Sequence, residues 1–181
     1  MNNLSMHILD IVQNSISADA KMIEIRINEN LLKNVLDILI KDNGKGMDDD
    51  FLAEVTDPYK TTRTTRKVGM GIPLLKHSAE QSNGYIKVYS EKEIGTTIQA
   101  TFQHDHIDRP PLGDIAGTIV LLVAANPNVD FKYVHSVNNN KYEFDTHEVK
   151  EILDDVRIDD PKIRRMLKEM ITENLSEIYV V

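Results

Sequence analysis

The sequence predicts an α+β fold in which a mixed, mostly antiparallel sheet is backed by helices. Residues 5–18 place apolar side chains at helical spacing, which predicts a half-buried helix. Residues 21–27 alternate between isoleucine and charged side chains, as in a strand with one covered face. Residues 85–90 and 96–102 also alternate and are joined by a charged turn that closes at Gly95, so they predict a β-hairpin.

Composition and charge exclude several classes of protein. The chain has 181 residues, of which 41% are hydrophobic and 28% charged, enough for one sizeable core or two small ones. Its formal net charge of −8 disfavours binding to nucleic acid or to an anionic membrane. It contains no cysteine, so disulfides, thiolate metal sites and a cysteine nucleophile are excluded. Since no apolar run approaches the roughly 20 residues of a membrane helix, and the first residues lack a signal-peptide pattern, we expect a soluble cytoplasmic protein.

The polar side of the first helix carries two candidate site residues. Asp10 and Asn14 are four residues apart, so they lie together opposite the apolar side. They fit a solvated helix face, and they also fit a cation site in which Asn14 offers an oxygen to Mg²⁺ and Asp10 orients a water or a hydroxyl. His7 in the same helix is either a phosphoryl acceptor or a surface or packing histidine. The residues alone leave these alternatives open.

A glycine-containing loop follows the next predicted strand. Residues 35–40 are mostly apolar and lead into the segment Asp-Asn-Gly-Lys-Gly-Met at 42–47. The Asp42 carboxylate can accept a hydrogen bond from the exocyclic amine of a flat ring such as adenine, and Gly44 and Gly46 allow the backbone to come close. Asp-Asn-Gly is also an ordinary turn sequence, so a simple turn is the alternative.

A basic segment and a glycine-rich helix start come next. Residues 48–68 have no sustained periodicity, and Asp57-Pro58 is expected to end any helix before it. Within this stretch, residues 60–67 carry four cations and no acid, which suits either a polyphosphate cover or a solvated basic loop. Gly69-Met70-Gly71 then opens a predicted helix with Pro73 in its first turn, and backbone donors at such a start can bind an anion.

Four short blocks in a fixed order resemble those of the GHKL ATP-binding domain, the fold shared by gyrase, heat-shock chaperones, histidine kinases and mismatch-repair ATPases. The blocks are Asp10…Asn14-Ser15…Ala18, Asp42-Asn43-Gly44-Lys45-Gly46-Met47, Thr61-Thr62-Arg63…Gly69-Met70-Gly71 and Gly95-Thr96-Thr97. The likeness covers roughly residues 4–103. It is nearest to the catalytic domain of sensor histidine kinases and to the anti-sigma-factor kinases. It implies a two-layer α/β sandwich that binds ATP and Mg²⁺.

The resemblance also implies roles for individual residues. Asn14 would bind Mg²⁺, and Asp42 would receive the adenine amine. The implied base pocket is completed by Gly44, Gly46, Met47 and, through water, Thr96. The implied phosphate side consists of Thr61, Thr62, Arg63, Gly69, Met70 and Gly71. Asp10 would be the catalytic residue, where many relatives carry glutamate, and this chain also departs from the family pattern at Lys67 and Pro73.

The implied function is that of a Mg²⁺-dependent ATP-binding protein that acts on a protein partner, as a histidine-kinase-like or anti-sigma-like regulatory kinase or ATPase. The alternative is a non-catalytic ATP sensor in which bound nucleotide exposes a protein-binding face. A homodimer is a further option. Histidine kinases also carry an upstream two-helix segment with the phosphorylated histidine, and because the first motif helix begins this sequence we do not expect a complete autokinase.

The second half predicts a small α+β unit, so we expect an ATP-binding domain at 1–105 and a C-terminal domain of unknown role at 106–181. Its predicted elements are a buried helix at 113–125, a hairpin from 131–137 and 141–144, a short helix through Leu153 and a last helix from Pro161. The sequence shows no motif in this half that we recognise. The chain's later histidines are too scattered to predict a metal site: His104, His106, His135 and His147.

Overall fold

The computed structural model of the chain describes residues 3–56 and 70–180. The predicted phosphate-side residues Thr61, Thr62, Arg63 and Gly69 lie outside these ranges. The elements within them are α1 (Leu4–Ser17), β1 (Met22–Asn30), β2 (Val35–Asp42), α2 (Asp49–Thr56), α3 (Gly71–Gln81), β3 (Tyr85–Glu91), β4 (Gly95–Gln103), α4 (Ile115–Ala125), β5 (Asp130–Val137), β6 (Asn140–Asp145), α5 (Thr146–Leu153) and α6 (Pro161–Ile178). No helix in these ranges combines the length and the apolar character that a membrane span requires.

The strands form one six-stranded sheet in the order β3-β4-β2-β1-β5-β6. Neighbouring strands are antiparallel except β1 and β5, which are parallel, with Ile25 opposite Tyr133. The predicted mixed, mostly antiparallel sheet backed by helices is therefore confirmed, and the two predicted hairpins are β3–β4 and β5–β6. Because β5 and β6 extend the same sheet, the C-terminal part is continuous with the rest of it. The division into domains at 105 and 106 stays a prediction.

One face of the sheet is covered because alternate strand residues are apolar. In β1, Ile23, Ile25 and Ile27 are at most 1% exposed, and they belong to one core with apolar side chains of α1, α3 and α4. Burying each such side chain contributes roughly 1.5–3 kcal/mol relative to leaving it exposed. Between them, Glu24 and Arg26 form an ion pair at 2.6 Å on the other face.

Helix α2 lies within residues 48–68, where the sequence shows no sustained periodicity. The Asp48 carboxylate accepts a hydrogen bond from the Phe51 backbone N–H at 2.9 Å, as a helix-capping residue does. Asp49 and Asp50 lie in the first turn, where the helix dipole favours acids. The helix is only two turns long, so its apolar period is too short to recognise in the sequence.

Candidate functional site

A cavity of about 300 Å³ lies where the end of β2 and the start of β4 meet helices α1, α2 and α3. It is lined by Ile11, Asn14, Ser15, Ser17, Ala18, Asp42, Gly46, Met47, Phe51, Val55, Ile72, Thr96 and Ile98. The predicted site residues in this set are Asn14, Asp42, Gly46, Met47 and Thr96. Its wall is mostly apolar with a few polar groups, which is the usual character of a small-molecule site.

Asp42 is 9% exposed, and its carboxylate accepts three hydrogen bonds. Ser15 Oγ donates to Oδ2 at 2.6 Å, and the backbone N–H groups of Gly44 and Thr96 donate to Oδ1 at 2.9 and 3.3 Å. An ionised carboxylate offers about four lone-pair sites. Within the described residues, one acceptor position on Oδ2 is therefore unused. The sequence singles out Asp42 but not its partner Ser15, which lies 27 positions away along the chain.

The two glycines after Asp42 are required by close backbone packing. Gly46 has a φ of +64°, and a Cβ there would lie 2.0 Å from the carbonyl oxygen of Glu91. A Cβ on Gly44 would lie 2.7 Å from the carbonyl oxygen of Ala18. The loop is thus pressed between α1 and the end of β3, and this position brings the Gly44 N–H to the Asp42 carboxylate.

Ser90 connects this loop to the sheet. The Met47 backbone N–H donates to Ser90 Oγ at 2.8 Å, and Ser90 Oγ lies 2.8 Å from Thr96 Oγ1. The strand register places Ser90 opposite Thr96, and Thr96 opposite Asp42. Ser90 thereby fixes two residues that line the cavity. No sequence signal separates it from the other polar residues of β3, because the sequence does not show which strands pair.

Helix α1 places Asp10 and Asn14 differently with respect to the cavity. Asn14 is half-buried and lines it next to Ser15, whereas Asp10 is exposed and is not among the described lining residues. Gly71, the first residue of α3, lies against Asp10, since a Cβ on Gly71 would be 3.2 Å from Asp10 Cβ. The preceding Met70 is 72% exposed. Asp10 and Gly71 are therefore neighbours, next to the lining residues Ile11 and Ile72.

His7 is a packing residue. It is 1% exposed, and its Nε2 lies 3.2 Å from Ser78 Oγ on α3. Its Nδ1 has no hydrogen-bond partner in the part of the chain that the structure describes. Burial lowers the pKa of His7, which favours the neutral ring. Of the two sequence alternatives for this histidine, the structure supports packing.

A second buried carboxylate lies at the far end of β1. Glu29, which is 3% exposed, contacts His104 Nε2 at 2.7 Å and His135 Nε2 at 2.8 Å, and the Tyr179 hydroxyl donates to it as well. Burial opposes ionisation, but the hydrogen bonds from His135, Tyr179 and His104 outweigh it and lower the pKa of Glu29 to about 2. Burial and the bond to Glu29 raise the pKa of Tyr179. Two of the histidines that look scattered in the sequence thus meet on one carboxylate.

Comparison with known proteins identifies a family for the N-terminal part of the chain. The model of the family described as "Histidine kinase-, DNA gyrase B-, and HSP90-like ATPase" matches residues 2–106. "Sensor histidine kinase YvrG" of Bacillus subtilis is 31% identical over 98 residues, which are 52% of this chain and 17% of that protein. "Sporulation kinase C" of the same species is 26% identical over 98 residues, 54% of this chain and 23% of that protein. The chain therefore spans less than a quarter of either relative.

Solved structures share the fold. The Aquifex aeolicus MutL ATPase domain complexed with ADP superimposes with a TM-score of 0.52 at 14% identity, covering 84% of this chain and 69% of that chain. The N-terminal domain of a DNA repair protein gives 0.57 at 17% identity, covering 79% and 52%. The superposition on the MutL domain covers 84% of this chain, which is more than the family match at residues 2–106. The likeness in fold therefore continues beyond residue 106. The family match spans more than half of the sequence, and the chain therefore belongs to the histidine kinase-, DNA gyrase B- and HSP90-like ATPase family, with a GHKL ATP-binding domain.

Proposed function

We propose that the cavity binds the adenine of ATP and that the chain uses the nucleotide to act on a protein partner, as a kinase-like or ATPase-type regulator. The supporting observation is the unused acceptor position on Asp42 Oδ2, on a buried carboxylate that lines the cavity. Adenine presents an exocyclic amine as a donor, whereas guanine presents a carbonyl oxygen at the same ring position. An acceptor in the pocket therefore favours ATP over GTP.

We assign the cation site to Asn14. Its amide oxygen is a ligand type that Mg²⁺ accepts, and the neighbouring Ser15 is bonded to Asp42, which fixes this turn of α1 at the cavity. When bound, Mg²⁺ would neutralise charge on the phosphates. The start of α3 at Gly71 adds backbone N–H groups, which attract anions. From the family resemblance, the remaining phosphate contacts are assigned to Thr61, Thr62, Arg63, Gly69 and Met70.

Two versions of this function differ in the role of Asp10. In the kinase or ATPase version, Asp10 accepts a proton from the attacking hydroxyl or water, and the similarity to sensor histidine kinases supports it. In the sensor version, ATP binding alone shifts the chain toward a state that exposes a face to the partner. Asp10 lies outside the described cavity lining but against Gly71, at the helix start assigned to the phosphates, so its position fits both versions.

Turnover separates the two versions. The chain is incubated with Mg²⁺ and ATP labelled at the γ-phosphate, and ADP, free phosphate and labelled protein are measured with and without candidate partners. In the enzyme version, Asp10→Asn lowers the rate by about 100-fold or more, because a general base is lost. The affinity of the Asp10→Asn variant for ATP should equal that of wild type, because Asp10 does not line the described cavity.

The matched control is Asp155→Asn, an exposed acid between α5 and α6, which should keep the wild-type rate. Binding of ATP without any product supports the sensor version. Turnover that survives Asp10→Asn would remove Asp10 from the mechanism, and failure to bind ATP at all would contradict both versions.

A further inference from the structure

Strand β3 forms one edge of the six-stranded sheet. It pairs with β4 on one side, and no strand that the structure describes pairs with its other side. On the outer side of an edge strand, backbone N–H and C=O groups are available to another chain. The side chains on the two faces of β3 decide which kind of chain fits.

The core-facing side chains of β3 are incompletely covered. Ile86 and Val88 pack against the core but are only partly buried. Their partners on β4, Ala100 and Ile98, are at most 5% exposed. A strand added beside β3 would cover the rest of these two side chains, provided that its own residues on this face are apolar or β-branched.

The other face of β3 presents a lysine between two tyrosines. Tyr85 and Tyr89 are 46% and 59% exposed, and Lys87 Nζ lies 5.2 Å from the centre of the Tyr85 ring. Within the described residues, Lys87 forms no ion pair. Glu91, on the same face, is four residues further on, about 13 Å along the strand. The opposite side chains on β4 are uncharged: Thr97, Gln99 and Thr101.

We propose that an extended segment of a partner protein pairs with the outer edge of β3, with a glutamate or aspartate opposite Lys87. The residues on either side of this acid are apolar or β-branched. Opposite charges and aromatic–β-branched pairs are favourable across strands, and main-chain hydrogen bonds supply the remaining affinity. A lysine on an exposed edge discourages unselective pairing, and an acid in the partner removes that obstacle. This segment would identify the partner of the regulator proposed above.

A second copy of the chain fits this edge less well. Antiparallel pairing about Lys87 would place two Lys87 side chains directly opposite each other, which is destabilising. Pairing about Tyr89 would bring Glu91 to Lys87, but it would overlap only residues 87–91 and leave Ile86 uncovered. A segment with its own acid neutralises Lys87 and covers Ile86 together.

A labelled peptide tests the proposal on the full chain. Its seven residues are serine, threonine, valine, glutamate, valine, threonine and serine, a pattern that reads the same in either direction. Fluorescence anisotropy without nucleotide should show binding about fivefold or more tighter than that of the same peptide with a central lysine. Proline at the second and third positions should abolish binding, because at least one N–H group facing β3 is then lost.

Reversal of the charge provides the decisive result. Lys87→Glu should prefer the lysine peptide over the glutamate peptide. Lys33→Glu, in the exposed turn between β1 and β2, makes the same change in net charge and should keep the wild-type preference. Circular dichroism verifies that each variant is folded. Lys87 does not line the described cavity, so its replacement should leave ATP affinity unchanged, and the two proposals can fail separately.

Several outcomes would overturn the proposal. They are equal affinity for the two peptides or for neither, binding that survives the two prolines, and an unchanged preference in Lys87→Glu. Binding of a single-stranded oligonucleotide at Lys87 in place of the peptide would mean that the tyrosines stack bases. Dimerisation of the chain that displaces the peptide would mean that a second copy occupies the edge.

Discussion

Replacing Asp42 by asparagine tests the base-binding proposal at a single atom. Oδ1 accepts backbone N–H groups from Gly44 and Thr96, so the asparagine should keep its carbonyl oxygen there and place its NH₂ group at the Oδ2 position. The Ser15 hydroxyl can rotate to accept from that group, because a hydroxyl is both donor and acceptor. The fold therefore keeps its hydrogen bonds, while the adenine amine meets a donor in place of an acceptor.

The expected loss of affinity is large enough to measure. A hydrogen bond to a charged acceptor contributes about 1.5–3 kcal/mol. Since each 1.4 kcal/mol is a factor of ten in Kd, the affinity for ATP should fall about 10- to 150-fold. Isothermal titration calorimetry gives the Kd directly. A thermal melt without nucleotide verifies that the variant is folded, and a second melt with ATP shows a smaller rise in Tm than for wild type.

Asp37→Asn is the matched control for this experiment. Asp37 also lies on β2 and accepts a hydroxyl hydrogen bond, from Thr101 at 2.6 Å, but it does not line the cavity. The chemical change is the same, so its affinity for ATP should equal that of wild type. A folded Asp42→Asn chain that binds ATP as tightly as wild type would refute the assignment of the base pocket.

Two further predictions concern the buried carboxylates. Ser15→Ala removes the 2.6 Å hydrogen bond to Asp42. Losing about 1 kcal/mol of binding free energy should weaken ATP binding about three- to tenfold, as measured by calorimetry. An unchanged Kd would mean that Ser15 does not orient Asp42. Glu29→Gln should lower the free energy of unfolding at pH 7 by about 3 kcal/mol, because the folded state lowers the pKa of Glu29 from 4.5 to about 2. A lowered pKa gives stability that is present above pH 4.5 and is lost as the pH falls toward 2. Urea unfolding across this range should therefore show a steeper loss of stability for wild type than for Glu29→Gln.

The loop that lines the cavity after β2 could be singled out from the sequence because its residues are consecutive. The segment 42–47 combines an acid at a strand end with glycines, and both features are visible in a short stretch of sequence. Ser15 and Ser90 were not predictable, since their roles depend on strand register and helix packing. Ser90 reaches the site only because β3 pairs with β4 so that it stands opposite Thr96.

Strand periodicity likewise predicts a strand but not its neighbour. The segment 131–137 alternates in the sequence, yet its parallel pairing with β1 follows from the path of the whole chain. The same limit applies to Glu29, whose partners His135 and Tyr179 lie 106 and 150 positions away. The sequence therefore predicts the layers of this fold better than the contacts between its two halves.

Helix α1 links the parts of the proposed ATP site. Ser15 is bonded to Asp42 at the base end, Asn14 lines the cavity, and Asp10 lies against Gly71 at the start of α3. With a rise of 1.5 Å per residue, about 7.5 Å of one rigid helix separates Asp10 from Ser15. Because Ser15 and Asp42 are already hydrogen-bonded at 2.6 Å, a base bound at Asp42 contacts a residue that α1 holds directly. In the kinase, ATPase or sensor version alike, α1 is the element that contacts both the base end of the proposed site and the glycine-rich helix start.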